Sequence, residues 1–251
     1  MVDRNRLDTR WICIRNATAK AGWQVRYTPP MEFTTACTQC PRLAGFLDEV
    51  RQREPEYFAK PVPSFGETGS PLLIVGLAPG MHGANRTGRP FTGDYAGILL
   101  YSTLYEFGFA TSGKPLDAAG RANPELVLQA CRITNAVRCL PPQNKPEPAE
   151  VRQCNPYLAD ELAALPQEAA VLVLGTVAHN AVLRALGLKA KDHAFAHGAQ
   201  HALPNGLKLY DSYHCSRYNT QTRRLTEAMF HDVFRAIREY LTSLETARIR
   251  A

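Results

Sequence analysis

Four strand-length segments, led by a continuous apolar run and separated by stretches of helical periodicity, constrain the fold more than any other feature. Pro71-Leu72-Leu73-Ile74-Val75-Gly76 is continuous and of strand length, and residues 131–137, 170–175 and 207–213 are of the same kind. Apolar runs without alternation suit strands buried on both faces, as a parallel sheet requires. Residues 96–107, 148–165, 176–186 and 222–244 read as helices. A short amphipathic helix is expected over 42–53, where Leu43, Phe46, Leu47 and Val50 recur at helical spacing. Strands alternating with helices predict an α/β fold with a mostly parallel sheet covered on both faces. The whole chain, 1–251, is expected to form a single domain, with an irregular, surface-hugging arm over about residues 1–35. In such sheets ligands bind beyond the carboxyl ends of the strands. The loops to search therefore follow Val75, Val137, Leu174 and Tyr213.

No run approaches the ~18 apolar residues of a membrane span, and the start lacks the apolar core of a secretory signal. An intracellular, cytoplasmic and reducing setting is expected, with no membrane partner. Cysteine number agrees with it: seven is odd, so metal ligation is a better reading than a complete disulfide framework. Cys37-Thr-Gln-Cys40 is a C-x2-C pair, and Cys139 and Cys154 follow with fourteen residues between them. Four thiolates suit either tetrahedral zinc or an iron–sulfur cluster, and spacing does not choose between them. Cys131, opening a strand, is assigned to the core. A net charge of +6 suits a polyanionic partner without requiring one.

The stretch from Gly76 to Asp94 is dense in glycine, which lets backbone N–H groups approach a ligand closely. Its glycine spacing fits neither a phosphate-binding Walker loop nor a dinucleotide fingerprint. Phe91 offers a stacking face for a flat base or a plug into the core. Asp94, just before a helix, is suited to be its N-cap.

Three motifs now combine: GLAPG-x-HG-x-NRTGR-x-FTGD in the first loop, Ile133-Thr-Asn-Ala-Val-Arg-Cys139-x-Pro-Pro-x-Asn144-Lys-Pro146, and Ser212-Tyr-His-x-Ser-Arg217 followed by Arg224-Leu-Thr-Glu-Ala-Met229. In this order they resemble the family 5 uracil-DNA glycosylases, from Cys37 to about Met229. The resemblance implies a three-layer α/β/α fold with a central four-stranded, mostly parallel sheet. It implies a monofunctional enzyme of base excision repair, acting as a monomer on DNA with uracil or other deaminated bases such as hypoxanthine and xanthine. It also implies a [4Fe–4S] cluster on Cys37, Cys40, Cys139 and Cys154, with zinc the alternative. Asp94 matches the proposed catalytic aspartate, placed to orient water and oppose a cationic sugar; Asn144 matches a second catalytic or base-positioning residue.

His214, after the fourth strand, is placed to hydrogen-bond a base carbonyl as charge develops there. The family commonly has proline next, where this chain has Cys215. Gly76, Leu77, Ala78, Pro79, Gly80, Phe91 and Asn135 are expected to form the base pocket; the Asn135 amide presents the donor and acceptor that uracil's O4 and N3–H need. His82, Asn85, Arg86, Ser216, Arg217 and Asn219 are expected to contact DNA, with Tyr218 a wedge candidate. The rival readings are a protein that binds damaged or single-stranded DNA without cutting it, and a zinc-bound interaction module.

Overall fold

In the computed structural model the described residues are 12–15, 23–26 and 33–250. The chain divides into two compact units, 1–32 and 33–251. In the first, β1 (Ile12–Arg15) and β2 (Trp23–Arg26) pair antiparallel, with Ile12 opposite Arg26. The arm expected to be irregular therefore contains a paired ladder, built from β-branched and aromatic residues of high strand preference. Its expected hugging of the surface lies outside the described residues.

The second unit holds β3 (Phe65–Gly66), β4 (Leu72–Gly76), β5 (Cys131–Asn135), β6 (Ala170–Leu174), β7 (Gln200–Ala202) and β8 (Lys208–Ser212), in the spatial order β3-β5-β4-β6-β8-β7. The four central strands are parallel, with Ile74 of β4 level with Ile133 of β5 and Leu172 of β6. They are the four strands expected from the sequence, although β5 and β8 carry polar and charged residues. The four-stranded expectation is corrected at the margins, where β3 and β7 add antiparallel edges. Two residues in one case, and the polar Gln-His-Ala in the other, carry no apolar run to read.

Alternation along β4 distributes its side chains to two layers. Leu72 and Ile74 join a core with Leu100, Leu104, Phe230 and Phe234, from α3 (Tyr95–Glu106) and α7 (Glu227–Arg250). Leu73 and Val75 join another with Leu158, Leu162, Ala178 and Val182, from α4 (Pro148–Ala163) and α5 (Thr176–Ala185). All four β4 side chains are fully buried, and each contributes about 1.5–3 kcal/mol of apolar transfer energy. This makes the three-layer α/β/α arrangement. A third cluster packs α1 (Pro41–Arg53) against Val137, Cys139 and Leu140 beyond β5.

The helix expected over 222–244 begins later, at Glu227, as α7, and a separate short helix, α6 (Arg217–Gln221), precedes the expected range. Arg223 between them has φ +57°, a left-handed conformation that ends the first helix.

Candidate active site and cysteine pocket

Beyond the carboxyl ends of β4, β5 and β8 lies a cleft of about 400 Å³, walled in part by Leu77, Ala78, Gly80, Asp94, Asn135 and His214. Three chain features shape it. At the end of β4, a Cβ on Gly76 would lie 2.6 Å from Phe91 Cζ and would also collide with Asn135 Oδ1. Only glycine lets the aromatic ring and the amide converge on the strand end. Phe91 itself has φ +53°, an outlier for a bulky residue. It is 6% exposed and its ring stacks on His214 at 5.8 Å, so it lines the cleft and belongs to the core at once.

Asp94 is the N-cap of α3: its Oδ1 accepts from Gly97 N at 2.9 Å. A Cβ on Gly83 would sit 2.5 Å from Oδ2, so the turn before α2 (Ala84–Thr87) is glycine where the carboxylate overhangs it. Burial raises the Asp94 pKa above the ordinary carboxylate value, partly offset by the N–H groups of Gly97 and Ala96. His214 is pushed down to about 4 by burial, so its imidazole is neutral near pH 7. Asn135 is 3% exposed and its Oδ1 has no partner in the protein, an expensive state that a ligand N–H would relieve. Asn144 also lines the cleft, in a short 3-10 turn where Gln143 and Asn144 both have left-handed φ, +55° and +56°. Strain of this kind persists where surroundings over-determine it, commonly at functional sites.

Not every expected site residue reaches the cleft. Gly76 lies beneath it and Pro79 is buried beside it rather than lining it. Asn85 is fully buried, so its expected DNA contact is corrected: the side chain cannot touch a phosphate. Arg86 is half-buried, with Nε donating to the His82 carbonyl at 2.9 Å and Nη1 to that of Gly120 at 3.0 Å. It braces the loop instead of offering a free cation. Asn219 Nδ2 donates to the His214 carbonyl at 2.8 Å and so holds the histidine loop. His82 is exposed, its Nδ1 2.8 Å from Tyr57 Oη. Ser216 and Arg217 do line the cleft, and Arg217 lies over the Tyr95 ring at 5.8 Å. Tyr218 is 70% exposed beside them. Tyr95, Ala84 and Ala96 line the cleft without sequence warning; an amphipathic helix start gives no sign of which residues a distant loop will meet.

A second pocket gathers Cys37, Cys40, Cys139 and Cys154 with Phe33, Arg138 and Tyr157. None of the four is paired in a disulfide. Burial first, then neighbouring cysteines and Glu150, push Cys40 up to about 11; burial and the other three thiols push Cys139 up to about 12. Arg138 N donates to Cys154 Sγ at 3.4 Å, and Tyr157 Oη to Cys37 Sγ at 3.6 Å. Arg42 on α1 makes a bidentate pair with Glu150 on α4, at 2.8 and 2.7 Å, clamping the C-x2-C pair to the helix that carries Cys154. The donor set is all sulfur, converging and surrounded by sulfur-directed donors, which fits a thiolate-held metal group.

On the far side of β8 the Asp211 carboxylate, fully buried, is 2.7 Å from His179 Nδ1 and 3.2 Å from His201 Nε2. His179 Nε2 faces the His193 carbonyl at 2.8 Å. With an oxygen at each ring nitrogen, His179 sits in a setting that favours its doubly protonated form. Burial opposes the charge, but the Asp211 hydrogen bond and field and the His193 carbonyl outweigh it, and its pKa is raised. A raised folded pKa contributes stability that is fully present below the unfolded value of about 6.5 and is lost as pH rises through the folded value. The denaturant midpoint is therefore expected to decline over that window, and Asp211→Asn to flatten the decline; an unchanged slope in the variant would assign it elsewhere.

Fold and cleft define an α/β protein with a carboxylate, a neutral imidazole and an unpartnered amide at the carboxyl edge of a parallel sheet. The profile of the Uracil DNA glycosylase superfamily matches residues 63–238. The chain is 48% identical to the type-5 uracil-DNA glycosylase of Thermus thermophilus, covering 79% of this chain and 91% of that protein. Pyrobaculum aerophilum supplies an internal comparison. Its type-5 enzyme is 39% identical over 79% of this chain and 86% of its own length, its type-4 enzyme 31% over 54% and 60%. The chain belongs to the uracil-DNA glycosylase superfamily, among its type-5 members.

Proposed function

We propose that the chain is a monofunctional DNA glycosylase that hydrolyses the N-glycosidic bond of uracil in DNA, opening base excision repair. The observation that carries this reading is the orphaned Asn135 Oδ1, buried in a cleft shared with Asp94 and His214. Uracil, flipped from the stack at a cost of a few kcal/mol, gives that oxygen its N3–H and takes a hydrogen bond from Asn135 Nδ2 at O4. As the C1′–N1 bond breaks, its electron pair leaves with the base, and the neutral His214 donates to the O2 where charge collects. Asp94 faces the cationic sugar and orients a water that adds to C1′, its proton passing to the carboxylate. Asn144, in the turn that follows β5, holds the base or the water from its own wall of the cleft. Ser216, Arg217 and Tyr218 meet the DNA. Among the described residues no lysine lines the cleft, which supports an abasic product with an intact backbone, since a lyase needs an amine nucleophile.

The apolar wall at Leu77 and Ala78 supports a pocket that also admits hypoxanthine and xanthine. A preference for uracil of a thousandfold or more over hypoxanthine would count against that. The cysteine pocket is read as the seat of a [4Fe–4S] cluster. An all-sulfur donor set suits such a cluster, with zinc the alternative. The cluster's role is structural, tying the C-x2-C segment to the end of β5 and to α4. Cys154→Ser is expected to lose the brown colour and most of the iron and to lower the thermal midpoint, each 1 kcal/mol lost being worth about 2–4 °C at this size. Retained iron at the wild-type ratio would remove Cys154 from the ligand set. A reducing intracellular compartment and action as a monomer belong to the same reading.

The test is base release from a labelled uracil-containing duplex. Alkali-sensitive sites without direct strand scission support the reading. No release from uracil, hypoxanthine or xanthine duplexes, with DNA still bound, would replace it by a binding protein.

A further inference from the structure

His197 lies outside the cleft, in the segment that leads into β7, yet it grips the strand end from which His214 departs. Its Nδ1 is 3.2 Å from Tyr213 N, in position to accept that N–H, and 3.5 Å from Ser212 Oγ. The Ser212 hydroxyl donates instead to the Tyr213 carbonyl at 2.9 Å, so the Tyr213 amide is the donor that Nδ1 serves. This fixes the tautomer: the proton sits on Nε2, toward the Met229 carbonyl of α7. The ring also stacks on Tyr213 at 5.1 Å with a 22° interplanar angle, while Arg224 covers that phenol ring at 4.7 Å.

The loop that carries His214 is thus held at successive backbone atoms. Gly175 N donates to the Ser212 carbonyl at 2.8 Å, as the last rung of the sheet. Past that rung the Tyr213 N–H has no strand to bond, and His197 takes it. Asn219 then takes the His214 carbonyl. Two of these three restraints are side chains, one on each flank of the histidine. The half-buried Tyr213 amide left without an acceptor would cost up to roughly 1–3 kcal/mol, enough to let the loop relax, and a displacement of about 1 Å at a reacting group can cost about 10²-fold in rate.

We propose that His197 is a positioning residue for His214: its Nδ1 accepts the Tyr213 N–H and its ring clamps Tyr213, setting the aim of the imidazole into the cleft. The inference rests on the glycosylase reading for its kinetic consequence but not for its structural one.

The variants separate the two ring nitrogens. In His197→Asn the amide oxygen stands near the position of Nδ1 and can accept from Tyr213; in His197→Gln the amide reaches the position of Nε2 and leaves the Tyr213 amide unserved. Two readouts are taken on the iron-loaded protein: single-turnover release of uracil alongside duplex affinity, and the nitrogen chemical shifts of the His214 ring in the free protein. His197→Asn is expected to stay within about threefold of wild type. His197→Gln and His197→Ala are expected to lose about 10-fold to 10²-fold in rate at unchanged affinity, with the His214 ring signals shifted. Equal behaviour of Asn and Gln, whether both impaired or both normal, would overturn the proposal, because a residue that only packs does not distinguish the two nitrogens. If wild type releases no base, the glycosylase reading fails by itself, and the His214 ring signals still decide whether His197 positions it.

Discussion

Asp94→Asn is expected to lower single-turnover release of uracil by about 10²-fold to 10⁴-fold while leaving the fold and the affinity for DNA nearly unchanged. The separation is possible because Asp94 has two jobs that use different properties of one group. As N-cap of α3 it needs an oxygen that accepts from Gly97 N, and asparagine caps as well as aspartate. Toward the sugar it needs a negative charge, which asparagine lacks. Alanine would blur the result, since it also removes a cap worth about 1 kcal/mol. The pH dependence carries a sign. Burial raises the Asp94 pKa above the ordinary carboxylate value, so the active, ionised form is lost as pH falls through that raised value. The wild-type rate should show an acid limb there, and Asp94→Asn should lack it. A variant that keeps the wild-type rate would move the water-orienting role away from Asp94, with Asn144 next in line.

The sequence was legible wherever a residue's role depends on its own neighbourhood. Continuous apolar runs marked β4 and β6, which are buried along their whole length, whereas β5 and β8 carry Arg132, Asn135, Lys208 and Asp211 and were legible only as weaker runs between helices. Asp94 could be read both as cap and as cleft residue because it directly precedes a helix and closes a recognisable motif. What escaped depends on partners far away in the chain. Asn85 and Arg86 look like surface polar groups in a glycine-rich loop, yet one is fully buried and the other is spent on the carbonyls of His82 and Gly120. No local pattern reveals that the loop folds over them. The edge strands β3 and β7 escaped for a related reason: they exist through pairing with β5 and β8, not through any apolar signal of their own. The histidines at 179, 197 and 201 are unremarkable along the chain and gain meaning only where they meet Asp211 and Tyr213 around β8.

His214→Ala is expected to cost about 10²-fold to 10³-fold in the rate of base release, the magnitude of losing one preorganised donor to a developing anion. What the histidine donates matters as much as its presence. An imidazolium would offer a full charge; a neutral ring offers a polarised N–H. With its pKa pushed down to about 4 by burial, and with Phe91 stacked on it in place of a carboxylate partner, His214 is neutral across the range in which the enzyme is expected to work. The rate should therefore not fall as pH rises through the usual histidine range of about 6.5, with no alkaline limb from loss of an imidazolium proton. His214→Gln, which supplies a neutral amide donor of similar reach, should recover part of the rate lost in His214→Ala at every pH in that range. A wild-type rate that falls as pH rises through about 6.5, together with no recovery in the glutamine variant, would mean that the charged ring is the active form. The burial that opposes the charge would then have to be relieved when DNA enters the cleft. A neutral donor needs no such rearrangement: it is already in the state in which it stabilises the departing base, so its contribution carries no reorganisation cost at the moment the bond breaks.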